Sequence, residues 1–328
     1  MNAFVTGATG FIGSHLTDTL LKDPRFQRVK CLVRSGEKWL KDKPYEKIPG
    51  DLQSHRALTA ALENTDVLFH VAALVKAPSQ KEFDFVNVEA TEQLIRLAIK
   101  NGVKKMVILS SLAASGPSSG RPLTEEDPMN PVSMYGKSKL SMEKRIHDIA
   151  HHCTNNEFSV TILRPPAVYG PREEQIFTLF KMMSNGIAPL IGDGNSPLIS
   201  TIYVDDLVQA LVMASAQKTS GVHTYFITGK EITNWNRIRD IFSIVMNQKV
   251  LSLKIPPKLV KNIAGIIETS AGFFGSYPVV NREKANEMVL EWTCSGHKAE
   301  KELGFIPNYA IEDGLSRTLR WYKTNNWL

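Results

Sequence analysis

The sequence predicts an α/β protein built on a parallel sheet with helices on both faces. Two observations carry that expectation. The first half alternates short β-rich runs with longer helical patterns, and such a repeat implies right-handed crossovers between parallel strands. The run 67–71, Val-Leu-Phe-His-Val, is apolar almost throughout, as a strand buried on both faces must be.

Taken in order, strands are expected at 3–6, 29–33, 67–71, 106–110 and 160–163. Helices are expected between them at 11–21, 54–62, 85–100 and 135–150. The order changes after Pro171. Residues 192–197, Gly-Asp-Gly-Asn-Ser-Pro, read as a loop, and 224–228 as a strand returning to the main sheet. From Asn234 the patterns are helical, broken by Pro256-Pro257 and by an apolar, glycine-spotted run at 259–275. The expected organisation is a doubly wound domain of 1–170 plus 206–230. A smaller mixed α/β C-terminal substrate region comprises 171–205 plus 231–328.

The chain has 328 residues, 43% hydrophobic and 22% charged, a globular balance that excludes disordered, collagen-like and coiled-coil classes. Lys and Arg number 39 against 33 Asp and Glu, a net charge of +6. No basic run concentrates that excess, so no nucleic-acid partner is expected. Cys31, Cys153 and Cys294 stand apart, in neither a metal-ligand spacing nor a disulfide framework. They fit a reducing, cytoplasmic setting and no metal. No Lys or Arg precedes Lys22, so no charged leader is expected. No integral membrane segment is expected either, since the uncharged apolar stretch 67–75 is too short to span a bilayer. The run 259–274 fits a pocket wall or a core helix better than a peripheral membrane contact.

Thr6-Gly7-Ala8-Thr9-Gly10-Phe11-Ile12-Gly13 follows the first strand and opens the first helix. Gly7 permits the tight turn, Gly10 admits a pyrophosphate to the backbone, and Gly13 lets helix and strand pack closely. The helix N-terminus offers free N–H groups to the phosphates. A nicotinamide dinucleotide is therefore expected. An NAD site places an acid about 20 residues past the glycines. Here the second strand ends in Arg34-Ser35, and an Arg favours the 2′-phosphate of NADP. NAD stays open if Arg34 is only a surface residue. Asp51-Leu52 sits where an adenine-contacting acid fits, although Asp51 equally suits a helix N-cap.

Tyr135-Gly136-Lys137-Ser138-Lys139 opens a helix, and positions i and i+4 share a face. A cation beside a phenol lowers its pKa, so Tyr135 is expected to be the proton donor or acceptor. Lys139 is expected to lower its pKa and to hold the nicotinamide ribose. Ser111 ends the fourth strand at its carboxyl edge, where such sheets bind ligands, and is the expected orienting donor to a substrate oxygen.

These motifs together resemble the extended short-chain dehydrogenase/reductases, the NAD-dependent epimerase/dehydratase family. His70-Val71-Ala72-Ala73, Asn87-Val88, Leu163-Arg164-Pro165, Val168-Tyr169-Gly170-Pro171 and Tyr203-Val204-Asp205-Asp206 agree with it. The resemblance implies a Rossmann sheet and cofactor contacts at Val71, Ala72, Ala73, Asn87 and Pro165, beside Thr6, Gly7, Thr9, Gly10, Phe11, Ile12 and Gly13. It also implies a homodimer formed through the helices at 85–100 and 135–150. Departures narrow the reaction. The acid pair of sugar-nucleotide dehydratases is absent after Ser111. Ala167 holds the place of an Asn usual in epimerases, and no Arg precedes Tyr203 to grip a diphosphate. Ser110–Pro117 is similar to the serine region of 3β-hydroxysteroid dehydrogenases, and Val33-Arg34 to dihydroflavonol reductases. The expected activity is interconversion of a ketone and a secondary alcohol on a largely apolar small molecule. One alternative is a nucleotide-sugar epimerase with retained NAD, gripping its diphosphate through Arg172 or Lys181. The other is a non-catalytic NADP-binding sensor or scaffold.

Overall fold

The computed structural model describes residues 1–153, 158–260, 262 and 282–328. Its elements begin with β1 (Asn2–Thr6), α1 (Phe11–Lys22), β2 (Arg28–Val33), β3 (Glu46–Pro49), α2 (His55–Leu62) and β4 (Val67–His70). Then come α3 (Gln80–Asp84), a wide turn at Phe85–Glu89, α4 (Ala90–Lys100), β5 (Lys105–Leu109), a tight turn at Leu112–Ala114, α5 (Met134–His152) and β6 (Ser159–Arg164). The rest comprises β7 (Ala167–Tyr169), α6 (Gln175–Ser184), β8 (Ile187–Ile191), β9 (Ile199–Tyr203), α7 (Val204–Ala214) and β10 (Gly221–Phe226). After them follow β11 (Ile232–Thr233), α8 (Trp235–Met246), β12 (Leu251–Ile255), α9 (Arg282–Met288), α10 (His297–Leu303) and α11 (Ile311–Thr324).

Seven strands form the main sheet in the order β10-β6-β5-β4-β1-β2-β3, every pair parallel. The chain runs outward from β1 through β2 to β3, then returns to β4 on the other side of β1. That reversal leaves a crevice at the carboxyl ends of β1 and β4, where doubly wound sheets bind ligands.

Side-chain alternation builds a core on each face. Ala3, Val5, Cys31, Val33, Val67, Phe69, Val107 and Leu109 pack with Leu16 and Leu20 of α1 and with Leu207 and Leu211 of α7. Phe4, Leu32, Leu68, Met106, Ile108, Val160 and Ile162 pack with Leu58 of α2, Leu94 of α4 and Met142 of α5. The expected strands at 3–6, 29–33, 67–71, 106–110 and 160–163 are present within a residue, and the one expected at 224–228 is β10, which starts three residues earlier and does return to the main sheet beside β6. β3 was not anticipated.

Two small sheets make up the remainder: β11-β9-β7, and β12 parallel to β8. The division expected at 170 needs correction here. β7 lies before that boundary, yet it pairs with β9 of the smaller sheet, because the chain leaves the main sheet at the Pro165-Pro166 step. The apolar run 259–274 lies, apart from 259, 260 and 262, outside the described residues.

Candidate active site

The glycine turn occupies the crevice at the end of β1. Gly7 has φ +75°, and a Cβ there would meet the Ala72 backbone nitrogen at 2.6 Å. A Cβ on Gly13 would lie 2.1 Å from the Gly7 carbonyl oxygen, so only glycine lets α1 start this close to the turn. Gly10 differs. A Cβ there would meet only the Gly7 carbonyl at 3.3 Å, and Gly10 is exposed. Its bareness serves something outside the chain. α1 begins at Phe11 with no side-chain cap and no acid in its first turn, which leaves its N–H groups and dipole for an anion. The residues present therefore fit a dinucleotide pyrophosphate.

The other expected contacts divide. Thr9, Phe11 and Ile12 are half-exposed on the turn, and Val71, Ala72 and Ala73 flank it from the end of β4. Arg34 is exposed at the end of β2, and its charge reaches Asp51. Asp51 Oδ1 accepts from the Ser54 hydroxyl at 2.8 Å and the Gln53 N–H at 3.0 Å. Ser54, not Asp51, is the N-cap residue of α2.

Four of the expected contact residues have groups engaged within the protein. Leu52 is buried in the core with Phe4 and Leu32. The Thr6 hydroxyl bonds His70 Nδ1 at 2.7 Å, and His70 Nε2 bonds the Thr91 hydroxyl at 2.8 Å. Burial pushes the His70 pKa down to about 3, so the ring is a neutral strut. Asn87 accepts from Leu74 N–H at 2.7 Å and donates to the Leu74 carbonyl and to the Ser138 hydroxyl. It ties the loop after β4 to α5. Pro165 is buried, and its carbonyl accepts from Leu112 N–H at 2.8 Å.

α5 brings the tyrosine and the serine together. Its N-cap Ser133 accepts from Gly136 N–H at 3.2 Å. A Cβ on Gly136 would lie 2.4 Å from the Ala113 carbonyl, so glycine lets α5 abut the turn that follows Ser111. The Ser111 hydroxyl hydrogen-bonds the Tyr135 phenol and accepts from Ala113 N–H at 3.1 Å.

Lys139 corrects one expectation. Its ammonium donates to the Leu109 carbonyl at 2.8 Å, and burial lowers its pKa to about 8, against the pull of Glu143. Tyr135 is not acidified by it. Burial pushes the phenol up to about 12, Ser111 opposes that, and the Glu287 carboxylate adds to it. Within the protein's own field, Tyr135 is a protonated acid at neutral pH.

Sequence reasoning missed Glu143. It lies four residues beyond Lys139 on the same face of α5, and this spacing was the available signal. Buried, it accepts the Ser110 hydroxyl and a bidentate pair from Arg164, whose Nε lies 3.0 Å from Oε1 and Nη2 2.5 Å from Oε2. The Arg164 guanidinium also lies 5.6 Å from the Phe226 ring centroid. Glu283 and Glu287 of α9 were missed as well: Glu283 accepts from Met134 N–H at the start of α5.

Arg172, the candidate diphosphate grip of an epimerase, is committed elsewhere. It donates to Ser14 Oγ at 3.0 Å and Asp18 Oδ2 at 2.8 Å, and lies 5.3 Å from the Trp39 ring centroid. Lys181 is exposed on α6. His15, read as packing, bonds the Pro171 carbonyl at 3.0 Å. Trp321 and Tyr322 join Trp327 in an aromatic cluster. Among the described residues no group of His, Cys, Asp and Glu is arranged to hold a metal.

Comparison with known proteins agrees with this geometry. The family model "NAD dependent epimerase/dehydratase family" matches residues 3–228. A ceramide reductase of Caulobacter vibrioides is 26% identical over 99% of this chain and 95% of its own length. An N-acetyl-α-D-glucosaminyl-diphospho-ditrans,octacis-undecaprenol 4-epimerase of Escherichia coli O157:H7 is 26% identical over 98% of this chain and 95% of its own. The solved structure of MoeE5 with UDP-glucuronic acid and NAD superposes with a TM-score of 0.80 at 25% identity, covering 99% of this chain and 100% of that one. With the glycine cradle, the seven-stranded parallel sheet and the Tyr-x-x-x-Lys helix in one crevice, the chain belongs to the NAD-dependent epimerase/dehydratase family of extended short-chain dehydrogenase/reductase enzymes.

Proposed function

We propose that this enzyme interconverts a ketone and a secondary alcohol on a largely apolar, lipid-like substrate, using an exchanging cofactor, NADP in preference to NAD. Arg34 at the end of β2, with no acid in its place, supports the NADP preference. The observation that carries the choice of reaction is the commitment of Arg172 to Ser14 and Asp18. A nucleotide diphosphate needs cationic partners, and this candidate is engaged with two residues of α1. The ceramide reductase among the relatives supports a lipid-like substrate for this chain.

Ser111 accepts one N–H from Ala113, and its hydroxyl hydrogen, turned toward Tyr135 in the free protein, is the one that would swing to a substrate carbonyl oxygen placed between the two. The bound nicotinamide supplies or receives the hydride. Tyr135, protonated at neutral pH, delivers its proton to the same oxygen as negative charge develops there. Lys139 spends one N–H on the Leu109 carbonyl and keeps others for the ribose. The region 171–205 with 231–328 forms the substrate side, α9 facing α5 through Glu283. A homodimer through α4 and α5 fits the exposed Phe85 beside them, and a cytoplasmic setting fits the three free cysteines.

The relatives that handle sugar nucleotides favour the second reading, an epimerase with retained NAD. Mass spectrometry of small molecules released by denaturing the purified protein separates the two. NADP, or little cofactor, supports the reductase. Near-stoichiometric NAD with a sugar nucleotide overturns it.

A further inference from the structure

The segment 283–293 touches both halves of the Ser111–Tyr135 pair. Its far end is fixed to the small sheet, where Trp292 pairs with Ile199 at the start of β9. The Trp292 indole N–H donates to the Glu287 carbonyl at 2.8 Å, which ties the end of α9 to the same point. The segment also holds the loop that follows Ser111. Ser118 N–H donates to the Glu291 carbonyl at 2.9 Å, and the Ser118 hydroxyl accepts from Thr293 N–H at 2.9 Å.

Glu283 carries this frame onto α5. Its carboxylate accepts the Met134 N–H, 149 residues earlier in the chain. Met134 is the first residue of α5 and Tyr135 the second. A helix leaves its first N–H groups without partners of its own. In α5 Ser133 takes the Gly136 N–H at 3.2 Å, and Glu283 takes that of Met134. A carboxylate also suits the positive end of the helix dipole. From the other side Gln80 Nε2 donates to the Met134 carbonyl at 3.3 Å, and the Phe83 and Tyr135 rings lie 6.2 Å apart. The residue before Tyr135 is thus clamped between α3 and α9. Glu287 stands one turn beyond Glu283 on the same face of α9, and its charge reaches the phenol. A cap from the helix's own sequence is enough to start it. A second acceptor brought from so far along the chain serves the placement of Tyr135.

We propose that Glu283 is a positioning residue: through the Met134 N–H it lets the C-terminal segment hold the Tyr135 phenol in line with a bound ketone oxygen. The inference rests on the reading of Tyr135 as the proton donor. A misplacement of about 1 Å costs on the order of a hundredfold in rate, so one hydrogen bond at this point matters.

NADPH oxidation with a long-chain ketone is measured in the full-length protein. Glu283→Ala should lose roughly 10- to 100-fold in kcat, with KM for the ketone and NADPH affinity near the parent's. Glu283→Gln keeps an acceptor oxygen and should hold kcat near the parent's. Asn286→Ala, exposed on the same helix, should match the parent. In a Tyr135→Phe background Glu283→Ala should cost nothing further, because no phenol remains to be placed. Additive losses, equal losses in Glu283→Gln and Glu283→Ala, or a normal kcat in Glu283→Ala beside an impaired Tyr135→Phe overturn the proposal and leave Tyr135 as the acid. Full turnover in Tyr135→Phe overturns both. Fluorine NMR of a fluorotyrosine in place of Tyr135 gives a readout without turnover. The parent and Glu283→Gln should share one resonance, and Glu283→Ala should shift or broaden it. An unchanged resonance in Glu283→Ala overturns the proposal even when the ketone is not a substrate.

Discussion

Replacing Glu143 with Gln removes a negative charge shared by three buried groups. Arg164, 7% exposed, loses the carboxylate that receives both arms of its guanidinium. Ser110 loses its acceptor, and Lys139 loses the charge that raises its pKa toward the usual value. Breaking a buried pair from one side costs about 3–5 kcal/mol. Glu143→Gln is thus expected to lower unfolding free energy by roughly that amount in denaturant titration. It should also move the alkaline limb of the pH–rate profile downward, because Lys139 then holds its proton less tightly than its present value of about 8. Removing both charges, as in Glu143→Leu/Arg164→Met, should recover most of the stability, since paired burial costs about as much as it returns. A Glu143→Gln protein within about 1 kcal/mol of the parent refutes the reasoning. So does a double variant as unstable as the sum of the single ones.

Gly10→Ala should leave the melting temperature unchanged and weaken dinucleotide binding, since its Cβ meets little of the protein. Gly13→Ala should lose both, at about 1–3 kcal/mol of stability, because its Cβ lands on a backbone oxygen; calorimetry and nucleotide titration check the pair. His70 has a native pKa of about 3 against an ordinary value of 6.5, so the unfolded chain binds the extra proton. Its contribution is complete above pH 6.5 and falls by about 1.4 kcal/mol per pH unit as acid is added. Denaturant titrations at stepped pH should show that slope, and it should flatten in His70→Asn. Arg34→Ser should weaken NADPH binding roughly 10- to 100-fold, the worth of a charge-assisted bond, and leave NADH binding near the parent's; equal loss of both would assign Arg34 another role.

The parallel strands were legible because burial on both faces writes a continuous apolar run, as at β4. The glycine turn was legible because each glycine answers a local steric demand. β3 was not, because Glu-Lys-Ile-Pro at a sheet edge alternates half-buried and exposed residues and carries no such run. Spacing placed Lys139 on the face of Tyr135 yet misjudged its effect. Burial, not proximity along the helix, sets both pKa values. Glu143 stood at the right spacing, but its partner Arg164 arrives on a different strand. The engagement of Arg172 with Asp18, 154 residues earlier, likewise exists only once α1 and the turn after β7 are packed.

Tyr135 is the proton donor in the proposed reduction with exchanging cofactor. The direct measurement is consumption of NADPH in excess over enzyme with a long-chain ketone, for the parent and for Tyr135→Phe. The parent should oxidise many equivalents, while Tyr135→Phe binds NADPH with unchanged affinity and loses at least about a hundredfold in turnover, the typical worth of a general acid. Turnover in Tyr135→Phe equal to the parent's would contradict the account.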